Sequence, residues 1–197
     1  MSGADSSRVI RLGDNIDTDI VIPTQYMTLP SVREMARYAF SPIWPDFAEF
    51  VRPGDIIVAG RNFGSGSSRE QAPEIIKELG IRCVVAVSFS RLFYRNALNN
   101  GLLVIESSAL PPLVDTGSRV AVDLDRCVFE VEDGQDGQDG QEGQEGQEGQ
   151  EGAGQEGAPP REIPFGSIPH ELMNMVAEGG LVAYWSRVNA EASGIAS

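Results

Sequence analysis

"DIIVAGRNFGSGSSREQAPEIIKELGIRCVVAVSF", residues 55–89, decides the fold. Its first six residues follow the Pro53-Gly54 turn and form an apolar, β-branched run, the pattern of a strand. "EQAPEIIKELG" reads as a helix that Gly80 ends; Pro73 either marks its first turn or confines regular hydrogen bonding to the part after it. "IRCVVAVSF" is apolar almost throughout and reads as a buried strand.

The same alternation continues outward. "SRLFYRNALNNG" predicts a helix ended by Asn100-Gly101, and "LLVIE" a strand. Towards the N-terminus, "RVIRL" reads as a strand. "SVREMARYAF" reads as a short helix with Ser31 and Glu34 at capping-box spacing. Further on, "SRVAVDLD" and "CVFEV" predict a hairpin about Asp125-Arg126, and "REIPFGSI" a strand leading into the helix "PHELMNMVAEGG". The order β, α, β, α, β, α, β favours a single α/β domain, a mixed sheet with flanking helices.

The totals agree with one domain: 197 residues with 41% apolar content bury one core. A formal charge of −14 argues against nucleic acid or an anionic membrane as partner. Much of it comes from residues 133–157, "DGQDGQDGQEGQEGQEGQEGAGQEG", which hold three Asp and five Glu without Lys or Arg, so the remainder carries −14 + 8 = −6. Glycine at every third place suggests collagen, but the repeat has no proline to favour that conformation. With one alanine as its only apolar side chain, it cannot offset the entropy of ordering. The expected organisation is therefore one domain from 1–132 and 158–197, interrupted by a disordered acidic insertion at 133–157.

Cys83 and Cys127 each lie inside an apolar β-type run and are expected to be buried free thiols. One pair makes no secreted disulfide framework, and "MSGADSSRVIRLG" lacks the apolar stretch of a signal peptide. No apolar run approaches the roughly 20 residues of a membrane helix. A cytoplasmic protein is the expectation.

The turn "RNFGSGSSREQA", residues 61–72, carries the chemistry. Gly64 and Gly66 permit positive φ and close approach of a ligand, and amides at the following helix start attract anions. A P-loop would need Lys followed by Ser or Thr where Ser67-Ser68-Arg69 stands. The last glycine of a dinucleotide fingerprint is replaced by Arg69, and neither Ser65 nor Ser67 is framed as a hydrolase nucleophile elbow. The only histidine, His170, lies a hundred residues away beside Pro169, as a surface or capping residue would. What remains is a cradle of amides, two hydroxyls and the planar guanidinium of Arg69, suited to a small carboxylic acid. A plain Ser-rich helix cap with Arg69 as a surface charge fits the turn alone equally well.

Two further blocks accompany it. "GDNIDTDIVIPTQYM", residues 13–27, groups Asp14, Asp17 and Asp19, and "VVAVSFSRLFYRNALNNGLLVIE" follows the serine turn. In this order and spacing the three blocks resemble the small subunit of 3-isopropylmalate dehydratase, which is similar to the swivel domain of aconitases. The resemblance spans nearly all of the chain except the acidic insertion, and it implies a swivelling β/β/α domain that forms one half of a hydro-lyase. It further implies conversion of 2-isopropylmalate to 3-isopropylmalate through the alkene, in leucine biosynthesis. The [4Fe-4S] cluster would be held by a large-subunit partner and not by this chain. The cysteine count agrees, because a cluster needs about three or four thiolates and this chain has two.

By position, the resemblance implies that Ser67 is the alkoxide base, with Ser68 and Arg69, beside Gly66, binding substrate carboxylate. Asp19 matches an aspartate near the cluster. Asp14 and Asp17 fit a role as loop-capping carboxylates as well as any catalytic one. Substrate choice would lie in "QYMTLP", residues 25–30, with Tyr26, Met27 and Thr28. Enzymes for substrates with an extra carboxylate tend to have arginine where this chain has Thr28. Isopropylmalate is therefore favoured over homocitrate or citrate, although Arg33 lies one helical turn away. Two alternatives stay open: the small subunit of homoaconitase or a related hydro-lyase, and a carboxylate-binding module without catalysis.

Overall fold

The structure, a computed structural model, describes residues 6–132 and 160–192. Seven strands form one mixed sheet in the order β4-β3-β2-β1-β5-β6-β7. They are β1 (Ser6–Arg11), β2 (Ile56–Ala59), β3 (Cys83–Ala86), β4 (Leu103–Glu106), β5 (Arg119–Asp123), β6 (Val128–Val131) and β7 (Arg161–Pro164). β1 to β4 pair in parallel, whereas β1-β5, β5-β6 and β6-β7 are antiparallel. β1 joins the halves: Ser6 to Arg8 face β5, and Val9 to Arg11 face β2.

The helices are α1 (Thr18–Val21), α2 (Val32–Ala36), α3 (Phe47–Phe50), α4 (Gln71–Glu78), α5 (Arg91–Asn99), α6 (His170–Ala177) and α7 (Leu181–Ala192). Alternate side chains of the parallel strands divide between two cores. Ile57, Ala59, Val84, Ala86 and Val104 meet Ile75, Ile76, Phe93 and Ala97 from the helices. Ile56, Val58, Val85 and Ile105 point the other way, into a core shared with Val120, Val122, Phe129 and Ile163 of the antiparallel half. The sheet thus curls so that its antiparallel part covers the face the helices leave open, which gives the β/β/α layering. Burial on both faces is why β2, β3 and β4 read as nearly continuous apolar runs.

The local signals are honoured where they rest on chain geometry. Ser31 Oγ accepts from Glu34 N at 3.2 Å at the start of α2. Pro73 sits in the first turn of α4, where a missing N–H costs nothing, and Gly80 leaves that helix with φ +80°. Gly101 does the same after α5 with φ +72°. The hairpin about Asp125-Arg126 pairs Asp123 with Val128.

Three expectations are corrected. Cys127 is not in a strand: it occupies the β5-β6 turn with φ +53°, half-buried, its Sγ donating to Leu124 O at 3.4 Å. Only Cys83 is buried in a strand. Helix α7 had no counterpart in the sequence analysis, because the Gly179-Gly180 pair reads as an end and the helix leaves Val182 and Trp185 exposed. β7 stops at Pro164, short of the expected "REIPFGSI". The acidic tract lies outside the described residues; the strands on either side of it pair directly, Val131 opposite Arg161.

Candidate functional site

The loops that follow β1 and β2 carry the two motifs, and they are zipped together. Gly60 N donates to Gly13 O (3.0 Å), Asn15 N to Arg61 O (2.8 Å), Gly64 N to Ile16 O (2.7 Å) and Thr18 N to Ser65 O (2.8 Å). This prolongs the parallel ladder past the strand ends, to an isolated bridge between Asp17 and Ser65. Two carboxylates hold the arrangement. Asp14 Oδ1 accepts from Arg61 N at 2.7 Å, and Asp17 caps α1 by accepting from Ile20 N at 2.8 Å. The loop-capping account of Asp14 and Asp17 therefore describes what their side chains do. The site stands at the carboxyl ends of the parallel strands, where open α/β sheets bind ligands.

Glycine permits the two loops and α5 to approach. A Cβ on Gly64, at φ +73°, would lie 2.1 Å from the Phe93 ring. A Cβ on Gly66, at φ +99°, would lie 3.1 Å from Thr18 Oγ1. The sequence suggested ligand approach at both glycines. At Gly64 the approaching group is an interior aromatic ring of the protein itself.

Helix α4 begins later than the turn implied. Its flanking residue is Glu70, already in helical conformation and without a side-chain cap, so Ser67, Ser68 and Arg69 precede the helix instead of forming its first turn. Ser67 and Ser68 are exposed. Ser67 is held from below by Thr18, which is 2% exposed; Thr18 Oγ1 lies 3.2 Å from Ser67 O and 3.5 Å from Ser67 Oγ. A threonine has one hydroxyl proton, so it serves one of these acceptors at a time. Thr18 is the site residue that sequence reasoning missed; its one signal is an uncharged hydroxyl between two aspartates.

Arg69 is largely covered, with its side chain 13% exposed, and reaches across to the other motif. Nη1 donates to Ile22 O at 2.8 Å, and Nη2 to Thr24 Oγ1 at 2.8 Å and to Asp19 Oδ1 at 2.7 Å. Thr24 Oγ1 donates to Asp19 Oδ1 at 2.8 Å. These bonds, first that of Thr24 and then that of Arg69, lower the Asp19 pKa from its ordinary value. Arg69 is thus no loose surface charge: it is the centre of a small polar knot that joins the serine turn to the segment after α1.

That segment continues as a 3-10 turn, Thr24–Tyr26. The Tyr26 ring stacks on Tyr38 at 3.9 Å, and Met27 and Leu29 pack against the helix-side core. Thr28 is exposed, as is Arg33. The apolar neighbours of Thr28 therefore face inwards in this chain. His170 is exposed at the first position of α6 and takes no part.

The chain's thiols do not fit an iron-sulfur cluster. Cys83 is fully buried in β3, where desolvation pushes its thiol up to about 12, and Cys127 bonds a carbonyl in a turn on a different element. Cluster ligands must be thiolates.

Among the described residues, no helix is long and apolar enough to cross a membrane. Residues 39–110, which include the serine turn, match the model of the aconitase C-terminal domain. The chain is 42% identical to the 3-isopropylmalate dehydratase small subunit of Lachnospira eligens, over 93% of this chain and 95% of that protein. It is 50% identical, over 124 residues, to the methanogen homoaconitase small subunit of Methanothermobacter thermautotrophicus; that match covers 63% of this chain and 71% of the relative. A crystal structure of 3-isopropylmalate dehydratase from Methanocaldococcus jannaschii superposes with a TM-score of 0.75 at 32% identity, covering 96% of this chain and 97% of that one. With a shared fold and identity along almost the whole length, the chain belongs to the family of 3-isopropylmalate dehydratase small subunits, within the aconitase-like hydro-lyases.

Proposed function

We propose that this chain is the substrate-activating half of a cytoplasmic isopropylmalate isomerase, completed by a large subunit that carries the [4Fe-4S] cluster. The observation that carries the proposal is the knot described above: one exposed serine, backed by a buried threonine, stands next to an arginine already aligned by Asp19 and Thr24. A dicarboxylic acid offers Arg69 and Ser68 a carboxylate, which pairs with the guanidinium through charge-assisted bonds. Ser67, as alkoxide, removes the proton from the carbon next to the departing hydroxyl, and the electron pair forms the alkene. Returning that proton to the carbon that lost the hydroxyl, and hydroxide to the carbon that lost the proton, completes the isomerisation. The chain's own contribution is therefore proton transfer and carboxylate binding; acceptance of the hydroxyl falls to the partner.

A serine alkoxide is unstable in water, and donors fixed around it lower that cost. Thr18 Oγ1 is one such donor, once it turns from Ser67 O to Ser67 Oγ. The aspartate-arginine pair holds the substrate-binding guanidinium in place until a substrate carboxylate competes for it.

Exposed Thr28, with uncharged neighbours, leaves a third carboxylate without a cation on that segment, which supports isopropylmalate as substrate. Arg33 on α2 is the residue through which a homoaconitate-type acid would be accommodated. In this reading 1–132 and 158–197 make one domain and the acidic tract is an insertion; the direct pairing of β6 with β7 supports it.

The test is turnover of 2-isopropylmalate by the full chain with a cluster-loaded large subunit under anaerobic conditions, following absorbance of the alkene. Activity that needs both chains supports the proposal. Turnover with homoaconitate alone would keep the chemistry and overturn the substrate, and silence with both acids would favour a non-catalytic carboxylate-binding module.

A further inference from the structure

The opposite end of the strands carries a second concentration of charge. A cleft of about 360 Å³ is lined by Ser6, Ser7, Arg8, Arg52, Arg82 and Arg119, with Asp55 and the Pro53-Gly54 turn. Four of the chain's fourteen arginines converge there, in a protein whose formal charge is −14. The cleft lies at the amino ends of β1, β2 and β3, away from the serine turn.

Among the described residues, two of these arginines lack an acidic partner. Arg8 has one: its Nε and Nη2 meet buried Asp55 at 3.1 and 2.6 Å, and its guanidinium lies 4.5 Å from the Phe50 ring centroid. Asp55 also accepts from Arg52 N at 2.8 Å, so both of its oxygens are engaged. Arg82 donates to Ser7 Oγ at 3.4 Å. The side chains of Arg52 and Arg119, both exposed, have no acidic partner among the described residues. Arg119 is moreover the direct cross-strand neighbour of Arg8 in the antiparallel register of β1 and β5. Like charges directly opposite each other destabilise a strand pair. Arg8 is neutralised by Asp55, but exposed Arg52 and Arg119 stand at one cleft without an acidic partner among the described residues, and that arrangement suits an anion with several acceptor oxygens.

We propose that this cleft binds a phosphate group, as the inorganic ion or as the end of a small phosphoester, through Arg52 and Arg119. Apart from Pro53, the lining offers no apolar side chain of the kind that holds a hydrocarbon body, so the recognised part is the compact dianion. Arginine forks suit its oxygens, and Asp55 keeps Arg8 in register at the back of the site. The proposal does not depend on the reaction assigned to Ser67.

The test is isothermal titration of the full chain with inorganic phosphate in an amine buffer at constant ionic strength, with glycerol phosphate and chloride titrated in parallel. The expected result is saturable one-to-one binding of phosphate at about 1 mM or tighter. It weakens at least tenfold in the Arg52→Gln/Arg119→Gln variant and is unchanged in Arg187→Gln, with circular dichroism showing all three folded. Tighter binding of glycerol phosphate than of phosphate identifies the phosphoester as ligand; equal binding identifies the free ion. Heat that follows ionic strength alone, or saturable binding that survives in the double variant, overturns the proposal.

Discussion

Arg69 and Asp19, fifty residues apart in sequence, meet at 2.7 Å between Nη2 and Oδ1, and through this pair the serine turn and the aspartate loop become one site. The Asp19 side chain is 56% exposed, so the pair adds little stability, on the order of 1 kcal/mol or less. What it fixes is direction: it aligns the guanidinium beside Ser67 and Ser68.

Asp19→Asn is therefore expected to leave the urea midpoint almost unchanged while raising KM in the assembled enzyme at least severalfold. A large stability loss with normal KM would show the pair to be structural instead. The folded Asp19 carboxyl is lowered from its ordinary value of 3.8. Its contribution to stability is thus present above that value and lost as pH falls through the lower, folded value. NMR titration of the Asp19 carboxyl should show its midpoint below 3.8 in the wild type and back towards 3.8 in Arg69→Gln.

Thr18→Val tests the support beneath Ser67. Valine keeps the buried volume and removes the hydroxyl that lies 3.2 Å from Ser67 O and 3.5 Å from Ser67 Oγ. A stability loss of about 1 kcal/mol is expected. In the assembled enzyme kcat should fall about tenfold or more with KM nearly constant, and Thr18→Ser should restore most of it. Equal loss in both variants would assign Thr18 to packing alone.

Gly64→Ala and Gly117→Ala separate strain from collision. Both glycines have positive φ, but a Cβ at Gly64 strikes the Phe93 ring at 2.1 Å, whereas one at Gly117 meets nothing within 4 Å. Urea unfolding should show a cost of about 1 kcal/mol at Gly117, and about 2–4 kcal/mol at Gly64, where overpacking adds to backbone strain. Similar costs at the two positions would refute the close approach of α5 to the serine turn.

The two thiols should differ in reactivity. Cys83 is buried and its thiol is pushed up to about 12, whereas Cys127 is half-buried in a turn. A thiol reagent at mildly alkaline pH should modify Cys127 in the folded chain and reach Cys83 only after denaturation. Rapid modification of Cys83 in the folded protein would contradict its burial in β3.

The parts of the fold legible in the sequence are those governed by neighbours along the chain. Gly80 and Gly101 end helices, Ser31 caps one, and the apolar runs of β2, β3 and β4 announce a sheet covered on both faces. Helix α7 escaped because Val182 and Trp185 point to solvent, which blurs the apolar stripe that marks a packed helix. The site was half legible. Serines, arginine and aspartates stood out by type, but nothing local indicates that Thr18 N bonds Ser65 O, or that the Arg69 fork is already filled by Ile22, Thr24 and Asp19. Such pairings arise only when β1 and β2 lie side by side and bring two distant loops into register.

Replacement of Ser67 by alanine in the assembled enzyme tests the central claim most directly. The fold should be unchanged, since Ser67 is exposed and its backbone carbonyl still accepts from Thr18. The large subunit should bind as before. Turnover of 2-isopropylmalate is expected to fall by about 10²–10⁴-fold, the usual loss for a missing general base. Wild-type turnover by the Ser67→Ala complex would contradict the assignment of Ser67 as the group that takes the proton.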